Sequence, residues 1–265
     1  MTAKELFETG KLSEAINQLN QDIKANPRDS RSRTFLFELL CFSGDFQRAE
    51  RQLDAIGQVS GDANVEIGTQ AYKNLLEAEK SRGRFFKMGG EPKFLSKAPP
   101  YARLHLQALS EIRENHPAQA EKLLTESENS RPKIAGQADA QPFSDLRDCD
   151  DVLAPFLEVI VQREYVWLPF ESIKQVEIAA PAKLRDLIWI SAKVELRDGP
   201  LGEVFLPCLY SGSSDHPDDR VKLGRMTDWN SPGEGCTLGS GQRMLFVDDT
   251  ERPILEIRKL EFATT

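Results

Sequence analysis

The densest group of side chains that could do chemistry lies at residues 145–151, which read Asp-Leu-Arg-Asp-Cys-Asp-Asp. Carboxylates this close together can bind a metal ion or act as a general acid and base. An EF-hand calcium loop also needs a central glycine and a distal glutamate, and neither follows here. The simpler prediction is the first turn of a helix, where acidic side chains are favoured. The alternative is a hydrolase or ligand sensor that uses these carboxylates.

Two further clusters place an opposite-charge pair just before a tryptophan: residues 185–189 read Arg-Asp-Leu-Ile-Trp, and residues 225–229 read Arg-Met-Thr-Asp-Trp. Each arginine could pair with the acidic cluster. We expect Arg185 or Arg225 to bridge to Asp148 or Asp151 and so pin strands that loops alone would leave loose. A surface that docks a partner is the alternative for the same residues.

Other catalytic patterns are missing from the sequence. The histidines are His105, His116 and His216, two of them in the first half, and no Gly-x-Ser-x-Gly elbow or His-Glu-x-x-His motif occurs. Nucleophilic catalysis needs a base near an activated Ser or Cys, and zinc sites need clustered His and Cys ligands. We therefore expect no enzyme activity, no catalytic residue, no metal and no cofactor.

The charge balance limits the classes of partner. The chain has 42 acidic and 34 basic side chains and a formal charge of -8, which disfavours binding to nucleic acid or to anionic membranes. No apolar run approaches the roughly 20 residues that cross a bilayer, and no secretory signal precedes the first charged residues. The cysteines form no Cys-x-x-Cys pair, as is typical of reduced thiols, so we expect a cytoplasmic protein.

The first half of the chain contains an internal repeat. The motif G-x-L-x-x-A that starts at Gly10 recurs as G-x-F-x-x-A at Gly44, 34 residues later. This is the period of a tetratricopeptide repeat, in which glycine takes the left-handed turn of a helical hairpin and alanine lets the helices approach closely. The spacing predicts two stacked hairpins.

Helical periodicity continues over residues 65–79 and, as a looser repeat unit, over residues 101–130. We therefore predict an α–α superhelix of tetratricopeptide-like repeats over residues 1–135, with a generic helical bundle as the alternative. The concave face of such a module binds an extended peptide or an amphipathic helix. Residues 82–90 pair basic and aromatic side chains beside glycines, which fits either a partner-contacting loop or a linker that buries Phe85 and Phe86.

From a boundary near residues 131–142 the period changes to that of short strands. Strands are expected at residues 157–161, 165–168, 189–196, 203–210, 244–247 and 254–262. These predict a small β-rich domain over residues 142–265, either barrel-like or a strongly bent antiparallel sheet. The fold class is therefore α+β with two domains.

Five motifs of the second half occur in the order typical of the ImpE family, also called the TagJ or SciE-type family, which the chain resembles over nearly its whole length. Besides the three clusters above, they are Tyr165-Val-Trp167-Leu-Pro169 and Asp198-Gly199 followed by Pro207-Cys-Leu-Tyr210. The resemblance implies a type VI secretion accessory protein that binds the N-terminal helix of the sheath small subunit. It also implies that this protein links the sheath to the recycling AAA+ ATPase.

The resemblance implies no enzymatic activity and supplies no catalytic residue. The charged and aromatic motif positions are therefore candidates for partner binding or for maintaining the fold. They are Asp145, Arg147, Asp148, Asp150, Asp151, Trp167, Arg185, Asp186, Trp189, Arg225, Asp228 and Trp229.

Overall fold

The computed structural model describes residues 1–60, 62–233 and 235–263, and its N-terminal half is helical. The helices of this half are α1 (Ala3–Glu8), α2 (Leu12–Ala25), α3 (Ser30–Phe42), α4 (Phe46–Ser60), α5 (Ala63–Met88), α6 (Ala102–Arg113) and α7 (Pro117–Ser130). A one-turn helix, α8 (Asp219–Lys222), lies among the strands of the second half.

The two glycines of the repeat motif occupy the predicted turns. Gly10 has φ +79° between α1 and α2, and Gly44 has φ +72° between α3 and α4, a region that L side chains rarely enter. In the looser unit Asn115 takes the same left-handed conformation, with φ 62°, before Pro117 begins α7. The helical hairpins are thus confirmed, whereas their membership of the tetratricopeptide class stays a prediction.

Residues 82–90 do not form a loop, because α5 continues to Met88. Phe85 is 5% exposed and packs edge-on against Trp167, at 5.4 Å between ring centroids. The prediction that this segment buries aromatic side chains is therefore confirmed for Phe85. The loop alternative is wrong.

The second half consists of antiparallel sheets. The strands are β1 (Gly136–Ala138), β2 (Gln141–Phe143), β3 (Leu146–Asp148), β4 (Phe156–Val161), β5 (Glu164–Pro169), β6 (Ile173–Ile178), β7 (Trp189–Leu196), β8 (Gly199–Pro207), β9 (Thr227–Gly233), β10 (Cys236–Gly241), β11 (Met244–Val247), β12 (Thr250–Pro253) and β13 (Lys259–Phe262). The main sheet has eight strands in the order β2-β1-β13-β6-β7-β8-β4-β5. A three-stranded sheet, β12-β11-β3, and the hairpin β9-β10 flank it.

The barrel expectation is wrong, because in the described residues the main sheet stays open with β2 and β5 at its two edges. The outer edge of β5 is already occupied: Lys93 donates to Tyr165 O at 3.3 Å and accepts from Trp167 N at 2.9 Å. The edge of β5 is therefore covered by Lys93 and does not pair with β2.

Strands β7 and β11 have the predicted bounds. The strand predicted at residues 203–210 instead spans Gly199–Pro207, and residues 254–262 divide into a 3₁₀ turn, Ile254–Glu256, and β13. The helix predicted to begin at the acidic cluster is wrong, since Leu146–Asp148 is strand β3 and a turn follows it. Cross-strand pairing of β3 with β11 overrides the local preference for a helix.

The apolar cores cross from the helices to the sheet. Ile160, Trp189 and Leu209 of the second half pack into the core of α1–α5, while Phe156 and Trp167 pack with Phe85 and the helices α6 and α7. Burial of this shared apolar surface holds the helices against one face of the main sheet. Among the described residues, no helix has the length and apolar character that a bilayer crossing requires.

Candidate functional site

A group of charged side chains lies in the core where α5 meets the sheet. We call this group the buried ion network: Glu79, Arg82, Asp148, Glu158 and Arg243, each no more than 9% exposed. Arg82 donates two hydrogen bonds of 2.8 Å to the carboxylate of Glu158 and one of 2.9 Å to Leu209 O. Its guanidinium also lies 3.3 Å from Glu79. Arg82 therefore joins α5 to strand β4 and to the segment after β8.

The second guanidinium of the network belongs to Arg243, which is fully buried. It forms an ion pair with Glu158 and lies 3.6 Å from Asp148. Burial lowers the pKa of Arg243 to about 10, against the opposing effect of the Asp148 carboxylate. Since burial of one unpaired charge is costly, the two arginines and the three carboxylates depend on one another.

Motif tryptophans and tyrosines complete the network. Trp189 Nε1 donates to Glu79 at 3.0 Å, and the Tyr165 hydroxyl donates to Glu158. Trp167 donates its indole N–H to the same tyrosine and stacks on Phe156 with ring centroids 4.6 Å apart. Trp167 and Trp189 thus lie in the interior, where they satisfy buried polar atoms.

Asp148 and Asp150 of the acidic cluster are held by their own chain. Asp148 accepts from the Tyr210 hydroxyl at 2.8 Å and from Asp150 N at 2.9 Å, and burial raises its pKa. The carboxylate of Asp150 accepts from Val152 N and from Gly239 N, each at 2.9 Å. Burial and the nearby Asp148 raise the pKa of Asp150 to about 7.

The remaining cluster residues form ion pairs at the edge of the core. Asp145 accepts from Arg131 at 2.6 Å and 2.9 Å, and although burial raises its pKa, these hydrogen bonds lower it below the usual value. Arg147 pairs with Asp151 at 2.9 Å, and Asp151 also accepts from Thr237 N at 2.7 Å. The cluster therefore ties β3 to α7 and to β10.

The predicted bridges from Arg185 and Arg225 to the acidic cluster are wrong. Asp148 lies beside Arg243 and Asp151 pairs with Arg147, while Arg185 and Arg225 point to the helical half. Opposite charge alone does not choose between arginines, because the fold decides which of them comes within about 4 Å.

Sequence reasoning also missed Arg82, Glu79, Glu158 and Arg243. One signal was available: Glu158 is the only charge in the apolar run Phe-Leu-Glu-Val-Ile-Val of β4. A lone carboxylate inside a fully buried strand requires a partner.

Arg185 and Arg225 instead brace a surface groove in the helical half. Arg185 donates to Glu38 of α3 at 3.1 Å and stacks over Tyr72 at 4.8 Å. Arg225 donates to Phe7 O at 2.8 Å and to Glu8 O at 3.0 Å, two carbonyls of the last turn of α1. Its guanidinium also lies 4.8 Å from the ring centroid of Phe7.

We call this feature the α1–α3 groove; its volume is about 600 Å³, and its lining consists of Lys4, Phe7, Glu8, Ser30, Arg31, Thr34, Phe35, Glu38 and Leu184. Phe7 and Phe35 form its apolar floor, with ring centroids 5.7 Å apart. Leu184 is the one lining residue that comes from the second half. Asp186 positions it by accepting from the amides of Ala182 and Lys183, each at 2.8 Å.

The last two motif residues lie away from the groove. Asp228 accepts from His216 at 3.0 Å on the surface, and Trp229 packs beside Tyr210 at 5.9 Å between ring centroids. The structure thus separates the motif positions into those in the buried core and at its edge, those that brace the groove, and the pair Asp228 and Trp229.

The described residues include one group that could ligate a metal ion, at the turn between α6 and α7. Ligand atoms of Glu111, Glu114 and His116 lie within 4.8 Å of one another, and the His116 ring is 3.0 Å from Glu111. His116 and Glu114 are exposed, and the group touches neither the groove nor the network. It forms a hydrogen-bonded surface turn.

Comparisons with known proteins agree with this architecture. The family described as ImpE protein matches residues 140–261. A Pseudomonas aeruginosa protein, described as a type VI secretion system accessory component TagJ, is 34% identical over 265 residues, which cover 100% of this chain and 92% of that protein. The crystal structure of a Vibrio parahaemolyticus protein superposes with a TM-score of 0.90 at 26% identity and covers 99% of this chain and 98% of the other.

Proposed function

The chain belongs to the ImpE family, and from this premise we propose that it is a non-enzymatic adaptor of a bacterial type VI secretion system. Its partner is the small subunit of the contractile sheath, and the adaptor binds the N-terminal helix of that subunit. Through that contact the adaptor links the sheath to the AAA+ ATPase that recycles it.

The α1–α3 groove is the observation that supports this proposal. A helix docks in a groove through apolar side chains at positions i, i+3, i+4 and i+7, which need an apolar floor between two walls. Phe7 and Phe35 provide the floor, and Leu184 provides an apolar wall on the side of the second half.

The alternative, a hydrolase or ligand sensor built on the acidic cluster, lacks such support. Asp148 and Asp150 are 0% and 7% exposed, and both accept hydrogen bonds from their own chain. A general base must reach the proton that it abstracts from a substrate. Buried carboxylates with these partners favour a role in maintaining the fold.

Isothermal titration with a synthetic peptide of the sheath subunit's N-terminal helix tests the adaptor proposal. We expect saturable binding with a Kd of about 1 μM or tighter, equivalent to about -8 kcal/mol. Thr34→Trp fills the groove beside Phe35 and should weaken binding at least about tenfold, or about 1.4 kcal/mol.

Thr125→Trp is the matched control, since Thr125 is exposed on α7, outside the groove. It should bind as the unmodified protein does. If the unmodified protein gives no heat with the peptide, the adaptor proposal is wrong. If Thr34→Trp binds normally, the helix docks elsewhere.

A further inference from the structure

The two ends of the α1–α3 groove differ in the charge of the residues that line them. Short turns at Gly10 and at residues 26–29 reverse the chain twice, so α1 and α3 run the same way. The contact of Phe7 with Phe35 places these two residues at one level of the groove. Lys4 lies one turn before Phe7 and Arg31 lies one turn before Phe35. The two cations therefore share one end of the groove, which we call the basic end.

The other end of the groove carries two carboxylates, Glu8 and Glu38. Glu38 is 7% exposed and pairs with Arg185 at 3.1 Å, so it offers little negative charge to a partner. Glu8 is exposed and lies 3.7 Å from Lys4, an i, i+4 contact of the kind that water screens strongly.

Arg31, in contrast, has no carboxylate at ion-pair distance within the described part of the chain. The neighbouring Asp29 is turned to the start of α3, where it accepts from the amides of Arg31 and Ser32. Since Glu38 pairs with Arg185 and Glu8 lies beside Lys4, the uncompensated charge of the groove lining is positive and lies on Arg31 at the basic end. The formal charge of the whole chain is -8.

We propose that the α1–α3 groove selects an amphipathic helix that carries acidic side chains at one end of its apolar stripe, and that it orients the helix with that end against Lys4 and Arg31. The inference rests on the proposed docking function and specifies the chemistry of the docked helix. Apolar contact with Phe7 and Phe35 supplies affinity without direction, because it is nearly the same for either orientation. Opposite charges at one end make one orientation more favourable and also speed the encounter.

Two designed peptides test this directly, each about 18 residues long with a leucine stripe at helical spacing. One carries glutamates beside one end of the stripe, and the other carries lysines at the same positions. We expect the glutamate peptide to bind roughly tenfold more tightly at low salt, and the difference to shrink as salt screens the charges.

The double variant Lys4→Glu/Arg31→Glu should abolish or invert this preference. Lys24→Glu/Arg28→Glu is the matched control, because it changes the net charge equally at exposed positions outside the groove. The control should keep the preference. Equal binding of the two peptides, binding of neither peptide, or the same loss in both double variants would overturn the inference.

Titration of the sheath subunit's helix in the same series separates this inference from the proposed function. If the designed glutamate peptide binds selectively and the sheath helix does not bind, the groove has the inferred selectivity and the sheath is not its partner. If the sheath helix binds with equal affinity to the protein and to Lys4→Glu/Arg31→Glu, the adaptor role stands and the charge selectivity is wrong.

Discussion

Replacing Arg82 with Met should remove the main polar link between α5 and the sheet. The change deletes two hydrogen bonds to Glu158 and one to Leu209 O, and it leaves the stem of the side chain in place. Breaking a buried ion pair by removing one partner costs about 3–5 kcal/mol.

The remaining contacts decide where in that range the cost falls. Glu158 keeps Arg243 and the Tyr165 hydroxyl, and Glu79 keeps the indole N–H of Trp189. Leu209 O, by contrast, loses the one donor that the described residues give it. We therefore expect Arg82→Met to lower the free energy of unfolding by about 3 kcal/mol, the lower end of the range.

Urea unfolding followed by tryptophan fluorescence measures this loss, because Trp167 and Trp189 are buried beside the network. The free energy is meaningful if the transition stays a single step and its slope with urea is unchanged. Arg84→Met on the same helix is the control: Arg84 is exposed and its side chain donates to Ser81, so the variant should change stability by no more than about 0.5 kcal/mol. A loss below about 1 kcal/mol for Arg82→Met, or equal losses for the two variants, would refute the stabilising role of the network.

Three other substitutions test the support of the site. Burial raises the pKa of Asp150 to about 7, so the folded protein holds a proton that the unfolded chain releases near pH 4. In urea unfolding, the stability advantage of the native protein over Asp150→Asn should therefore fall as pH rises from about 4 to about 7, by at most about 1.4 kcal/mol per pH unit. A constant difference in unfolding free energy would contradict this. Arg225→Ala should speed hydrogen exchange in α1 and lower the free energy of unfolding by about 1 kcal/mol, because it removes two hydrogen bonds to the end of that helix. Arg220 forms its ion pair with Asp218 in its own turn, so Arg220→Ala should leave α1 protected. Equal exchange in the two variants would contradict the bracing role. Gly239→Ala would place a Cβ 2.3 Å from the Tyr210 ring and should lower the free energy of unfolding by at least about 1–3 kcal/mol. Gly68→Ala meets open space within α5 and should raise that free energy by about 0.5–1 kcal/mol. Thermal unfolding compares the two variants, and equal melting temperatures would contradict the packing argument.

The buried ion network explains why chemically suggestive motifs belong to a protein that we propose to have no catalytic role. Trp167 and Trp189 satisfy polar atoms in the interior, and Asp148 and Asp150 lie in the same core. Such residues resemble catalytic groups in a sequence because both need close charges and aromatic neighbours. Burial distinguishes them here, since a substrate cannot reach a side chain that is fully covered.

Local features of the sequence were sufficient for the helical hairpins and for several strands. Gly10 and Gly44 predict their turns because glycine readily adopts the positive φ that each turn requires, whatever distant residues do. Strands β7 and β11 follow from short apolar and β-branched runs whose side chains alternate between the two faces of a sheet. The helix start predicted at the acidic cluster was wrong, because the local preference for a helix was weaker than the pairing of β3 with β11.

Tertiary structure alone decided which charges meet and where the groove lies. Arg82 and Glu158 are 76 residues apart, and Arg185 reaches Glu38 across 147 residues, so no spacing in the sequence relates them. The helical hairpins, the β-rich second half and the family motifs could be recognised without the structure, since periodicity and turn residues act over a few positions. The pairing of Arg185 with the helical half rather than with the acidic cluster depended on how α3 packs against the sheet, because an ion pair forms only where the fold brings two side chains within a few ångströms.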